Sequence, residues 1–140
     1  MTLLTQIEMS ALLLLSALLG AIIGFNRERL DKAAGMRTHM LVSVGSTLFT
    51  SLGVYAISQG DASRIGAAVV GGIGFIGGGI IFRSRDGERT KGLTTAASVW
   101  SVAAIGTAVG TGAWFVAICA TIIIWFILEV VYRWQTRIFE

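Results

Sequence analysis

The segment Gly72-Ile-Gly-Phe-Ile-Gly77 has the G-x-G-x-x-G spacing that lets a loop approach the pyrophosphate of a dinucleotide. Such a loop follows a strand, opens a solvated helix, and precedes an acidic residue by about 20 positions. Here the motif lies within an uncharged run, 65–82, and alanine occupies position 97. The uncharged surroundings and the missing acidic residue therefore favour a membrane helix that needs glycine for packing. We expect no cofactor.

Apolar residues around this motif recur with the period of a helix. One stripe is β-branched, and the glycines fall mostly on the opposite side. We predict that the stripe faces lipid and that the glycine face admits another helix closely. The stripe consists of Ile65, Val69, Ile73, Ile76 and Ile80. The predicted helix-packing glycines are Gly20, Gly24, Gly71, Gly74, Gly77 and Gly78.

Residues suited to catalysis are few. The sole histidine, His39, has no evident partner in the sequence, and Cys119 is a single cysteine without a metal-type cluster. No charged residue lies near the centre of a predicted span, where a charge is costly and is kept mainly for function. This pattern argues against a proton-coupled carrier and weakens a dedicated Mg²⁺ path, which favours carboxylates. We expect no enzyme, no catalytic residues and no metal site.

The distribution of charge indicates a membrane protein. The chain of 140 residues is 54% hydrophobic and 14% charged, whereas soluble domains carry about 25% charged residues. Uncharged runs cover 9–25, 39–60, 65–82 and 92–128, and the last is long enough for two crossings. We predict an all-α bundle of five transmembrane helices in one domain, 1–140, without a soluble C-terminal domain. The predicted helices are 9–25, 39–58, 65–82, 93–109 and 112–132.

The basic residues predict the orientation of this bundle. If the five spans alternate, all eleven lysines and arginines except Arg64 lie on one side. Lysine and arginine accumulate in cytoplasmic loops. We therefore predict an external N-terminus and a cytoplasmic C-terminus, with Glu129 and Arg133 paired across one turn of the last helix.

Three segments resemble the signature blocks of the MgtC/SapB family of bacterial inner-membrane proteins. They are "LLGAIIGFNRERLDKAAGMRTHMLVSVGSTLFT", "RIGAAVVGGIGFIGGGII" and "KGLTTAASVW". The resemblance implies a multi-pass inner-membrane protein linked to magnesium limitation, acid stress and virulence. It also implies a regulator of membrane proteins, with the rotary ATP synthase as one partner, rather than a proven magnesium transporter.

Polar residues cluster at the predicted cytoplasmic side, where the second and fourth helices begin. Helix N-termini favour anions, so an anionic lipid headgroup, a phosphate or a docking partner is one interpretation. The other interpretation is helix capping and topology alone. With an unperturbed pKa of about 6.5, His39 is also a candidate sensor of acidification. The candidate residues are Asn26, Arg27, Glu28, Arg37, Thr38, His39, Lys91, Thr94 and Thr95. The basic residues Arg29, Lys32, Arg83, Arg85 and Arg89 are interpreted as topology signals.

Two functions remain open from the sequence. The first is a non-enzymatic regulator that packs against another membrane protein. The second is a small transporter or channel for magnesium or another ion, lined by hydroxyls of the second and fourth helices. For both we expect contact with the lipid bilayer, a homo-oligomer and no nucleic acid.

Overall fold

The computed structural model describes residues 1–55, 62–83 and 90–138. Its helices are α1 (Leu3–Arg29), α2 (Met36–Tyr55), α3 (Ala62–Ile80), α4 (Leu93–Gly110), α5 (Trp114–Phe126) and α6 (Tyr132–Ile138). A π-helical segment, Ile127–Val131, joins α5 to α6. Four stretches are long and apolar enough to cross a membrane: Leu3–Arg29, Ser63–Ile80, Leu93–Gly110 and Trp114–Trp134. The helical membrane architecture expected from the sequence is therefore present.

The central helix of the bundle is α2, which packs between α1 and α4. Its buried face is polar, and α2, although predicted as a membrane span, is not among the four stretches that are long and apolar enough to cross a membrane. The buried side chains on it are His39, Ser43, Ser46, Thr47, Thr50 and Ser51. Thr47 donates a hydrogen bond to the carbonyl of Gly106 over 2.8 Å. Small residues and hydroxyls thus bring α2 and α4 together, as is common in membrane bundles.

The apolar core lies between α1, α4, α5 and the π-helical segment. One cluster contains Leu19, Ile23, Val102, Ile105, Val109, Ala117 and Leu128. A second cluster of Ala34, Ile73, Val99 and Ala103 attaches α3 to α4. Burial of these side chains positions the helix ends that carry the polar residues.

The packing face of α3 differs from the prediction. Ile73, in the stripe predicted to face lipid, is buried, and Val69 and Ile80 pack against its cluster. A side chain added at Gly71, Gly74 or Gly78 would meet no atom within 4 Å. The prediction that the β-branched stripe faces lipid is therefore wrong for Ile73. The glycine face is left open, and its packing against another chain stays a prediction.

The link between α3 and α4 contains a feature absent from the all-α prediction. Phe82–Arg83 pairs with Thr90–Lys91 as a short antiparallel ladder. Gly92 then adopts φ +89°, and a Cβ there would overlap the carbonyl oxygen of Ile80. Only glycine tolerates both constraints, so it fixes where α4 begins.

Candidate functional site

Polar side chains from four helices meet at one end of the bundle. They come from the C-terminal end of α1, the start of α2, the start of α4, the π-helical segment and the first turn of α6. We call this set the polar network: Asn26, Arg27, Arg29, His39, Thr95, Ser98, Glu129 and Arg133. Because the helices alternate in direction, residues far apart in sequence become neighbours here.

Glu129 joins the first helix to the last. Its Oε1 accepts from an Arg29 terminal nitrogen at 2.6 Å and from Arg133 Nε at 2.7 Å. Its Oε2 accepts from the side-chain amide of Asn26. The predicted Glu129–Arg133 pair is confirmed. The interpretation of Arg29 as a topology signal alone is wrong, because its side chain also neutralises this carboxylate.

The carboxylate lies in a locally altered helix. Glu129 is only 6% exposed and falls within the π-helical segment. Single π-helical turns within α-helices occur frequently at functional sites. The sequence shows the i,i+4 spacing of Glu129 and Arg133 but carries no local signal for this turn.

His39 is fully buried and has two partners. Its Nδ1 lies 2.8 Å from the carbonyl oxygen of Gly35, and its Nε2 lies 3.0 Å from Ser98 Oγ. The Ser98 hydroxyl is also 2.8 Å from the carbonyl oxygen of Thr95. The expectation that the histidine lacks a partner is therefore wrong. The partner comes from α4, whose register against α2 cannot be read from local sequence.

These contacts constrain the protons they share. A carbonyl only accepts, so Nδ1 carries a proton towards Gly35. When His39 is neutral, the single hydroxyl proton of Ser98 can be donated either to Nε2 or to the Thr95 carbonyl oxygen, but not to both. Only a doubly protonated ring satisfies all three contacts at once, because Nε2 then donates to Ser98. The hydrogen-bond arrangement therefore couples the protonation of His39 to the orientation of Ser98.

Arg27 is the most unusual member of the network. Its side chain is 2% exposed, and a terminal nitrogen donates to Thr95 Oγ1 over 3.2 Å. In the described part of the chain its Nε has no hydrogen-bond partner. The structure thus buries a guanidinium against the first turn of α4.

The other predicted site residues lie around this network rather than in it. Glu28 is exposed, and its Oε2 accepts from the backbone N–H of Met36 at 2.7 Å. It therefore caps α2, in agreement with the capping interpretation. The remaining side chains lie at the surface, with Thr38 half-buried and Arg37, Lys91 and Thr94 exposed.

Glycines set the helix spacing that brings the network together. A Cβ on Gly24 would lie 2.6 Å from the Met36 Cα, and one on Gly20 would lie 2.8 Å from the His39 carbonyl oxygen. Gly106 and Gly110 give α4 the same close approach to α2. In the sequence, the spacing of four between Gly106 and Gly110 on an alanine-rich helix is the signal that indicates this close packing.

Within the described residues, no group of three or more His, Cys, Asp or Glu side chains is placed to hold a metal ion. The chemistry of the polar network is instead that of charge pairing, hydrogen bonding and anion attraction. Arg27, Arg29 and Arg133 outnumber the single carboxylate of Glu129, so the network carries excess positive charge.

Comparisons with known proteins agree on one family. The profile of the MgtC family matches residues 13–137. Protein SrpB of Synechococcus elongatus is 42% identical over 78% of this chain and 66% of its own length. The putative magnesium transporter YhiD of Escherichia coli K12 is 38% identical over 90% of this chain and 61% of its own.

A third relative is protein MgtC of Salmonella typhimurium, 44% identical over 80% of this chain and 47% of its own length. The chain thus spans about half to two thirds of these curated relatives. No solved structure matches the chain significantly.

Proposed function

Because the chain belongs to the MgtC family, we propose that it is a non-enzymatic regulator in the bacterial inner membrane that docks on another membrane protein. Its multi-pass membrane localisation follows from the apolar helices and the family. The magnesium-related name of one relative and the family resemblance support a role under magnesium limitation, and the resemblance adds acid stress and virulence as linked conditions.

The open glycine face of α3 is the observation that carries the docking proposal. Only 11% of the apolar stretch Ser63–Ile80 is buried, compared with 56% for Leu93–Gly110. Around Gly71, Gly74 and Gly78 there is no atom that a Cβ would meet within 4 Å. Between apolar helices in lipid, association depends on such close backbone approach rather than on the hydrophobic effect. This face therefore supports docking of a partner helix, from a second copy of the chain or from another protein.

The rotary ATP synthase is the partner we propose to test first, because the family resemblance implies it. The alternating helices support five spans with the polar network at the cytoplasmic end. In that arrangement the basic residues of the network face the cytoplasm, as the positive-inside rule requires. The ordered cytoplasmic end would hold α3 in the position that a partner meets.

Ion transport is the alternative function, and the name of the relative YhiD favours it. In the row of buried hydroxyls on α2, the side chains of Ser43 and Thr50 have no hydrogen-bond partner among the described residues. An ion pathway could use such oxygens. However, Thr47 and Ser51 already bond to α4, and α4 approaches this row at backbone distance. The close contact supports packing over a permanently open path.

Two assays, one in cells and one in vesicles, separate these functions. The first is growth support under magnesium limitation, in cells expressing either the wild type or Gly74→Leu. The second is Mg²⁺ flux into vesicles that contain the chain alone. We expect Gly74→Leu to lose growth support while both proteins give no flux above empty vesicles. Flux by the wild-type chain alone would instead support the transporter.

A further inference from the structure

Arg27 is a buried charge that forms no ion pair with a carboxylate among the described residues. Its side chain is 2% exposed, and Thr95 Oγ1 is its only hydrogen-bond partner among the described residues. The nearby carboxylate of Glu129 pairs with Arg29 and Arg133 instead. Burial of an unpaired charge is strongly unfavourable, and a paired anion reduces the cost.

The guanidinium is directed at the start of α4, which receives no side-chain cap from the part of the chain that the structure describes. Thr95 is the third residue of α4, an 18-residue helix whose N-cap, Gly92, makes no side-chain hydrogen bond. The first backbone N–H groups of a helix have no partner within the helix, and its dipole is positive there. By contrast, the start of α2 already receives the carboxylate of Glu28.

We propose that Arg27 and the first turn of α4 bind a phosphate-type oxyanion, either inorganic phosphate or the headgroup of an anionic phospholipid. The Arg27 guanidinium, whose Nε has no hydrogen-bond partner among the described residues, supplies a charged donor of the kind that suits phosphate oxygens. The backbone N–H groups of α4 offer further donors. This ligand site does not depend on the identity of the protein partner.

The exposure of the surrounding residues fits an anion that enters from the surface. Arg27 and Thr95 are buried. Thr94 and Lys91, at the same helix start, are exposed. Their hydroxyl and ammonium groups are the surface donors that an arriving anion would meet first.

Thermal unfolding of the full chain in an uncharged detergent tests the site. One arm adds inorganic phosphate against sodium chloride at equal ionic strength, and the other adds phosphatidylglycerol against phosphatidylcholine. We expect a saturable rise in the unfolding midpoint in at least one arm. A rise with phosphate identifies the free anion, and a rise with phosphatidylglycerol alone identifies the headgroup. Absence of a saturable rise in both arms overturns the proposal.

Variants locate the site. Arg27→Gln should raise the concentration for half-maximal stabilisation about tenfold, as expected for loss of a charge-assisted contact. Arg64→Gln makes the same charge change at the opposite end of the bundle. It should leave the concentration for half-maximal stabilisation unchanged. An equal effect of both variants would show non-specific charge attraction and overturn the site.

Hydrogen exchange on the wild type keeps the test decisive if Arg27→Gln does not fold. The ligand that stabilises the protein should slow exchange of the backbone N–H groups of residues 93–95. Unchanged exchange there at saturating ligand would contradict the proposed location.

Discussion

Asn26 and Glu129 are joined by a side-chain hydrogen bond although 103 positions separate them in the sequence. The bond connects the C-terminal end of α1 to the π-helical segment, directly beside the ion pair of Glu129 with Arg29. One carboxylate thereby holds these two segments together at the side where α2 and α4 begin. The stability of the polar network should depend on it.

Glu129→Gln should lower the free energy of unfolding by about 1–2 kcal/mol. The amide removes the charge that Arg29 and Arg133 share, but both arginines are partly exposed and water screens part of the loss. Thermal unfolding in detergent measures the change. Glu8→Gln, an exposed position near the start of α1, is the matched control and should have little effect.

Two glycine-to-alanine changes should have opposite consequences. Gly24→Ala places a Cβ 2.6 Å from the Met36 Cα, so α1 and α2 must separate, at a cost of about 1–3 kcal/mol. Gly74→Ala meets no atom within 4 Å and should leave the chain neutral or slightly more stable. The comparison is made by thermal unfolding. Equal destabilisation would show that α3 packs on its glycine face within the chain.

Ser98→Ala should destabilise the bundle by about 1–3 kcal/mol, because it leaves Nε2 of the buried His39 without its partner. Ser101→Ala is the control on the same helix. Its hydroxyl donates to the carbonyl of Ala97, one turn earlier on the same helix, so its loss should cost less than about 0.5 kcal/mol. Similar midpoints for the two variants would argue against a stabilising His39–Ser98 contact.

Cysteine labelling tests the orientation. In a Cys119→Ser background, a cysteine at the exposed Thr111, in the turn between α4 and α5, should react with an impermeant thiol reagent added to intact cells. A cysteine at the exposed Thr90 should react only after the membrane is opened. The reverse pattern would place the polar network outside the cell.

The sequence predicted the helices well because charge spacing and apolar length are local properties. It did not predict which face of α3 packs inward, and this failure has a physical cause. In a membrane helix, both the lipid-facing side and the packed side carry apolar or small residues. The period of hydrophobic residues therefore does not show which side packs inward. Ile73 therefore looked like a lipid-facing residue although it is buried.

The site was predicted only in part for a related reason. Helix starts and basic residues mark the region that contains Arg27, His39 and Thr95. Their partners come from other helices, as with His39 and Ser98, 59 positions apart. Such pairs depend on the register between helices, and glycines such as Gly106 set that register through backbone contact.

Co-purification of the rotary ATP synthase tests the docking proposal most directly. The measurement is the stoichiometry of synthase recovered from membranes with the wild type, with Gly74→Leu and with Ala104→Leu. The control makes a similar small-to-leucine change at an exposed position of α4. We expect stoichiometric recovery with the wild type and Ala104→Leu, and loss with Gly74→Leu at unchanged thermal stability. Equal recovery with Gly74→Leu, or none with the wild type, would contradict docking of this partner through the glycine face of α3.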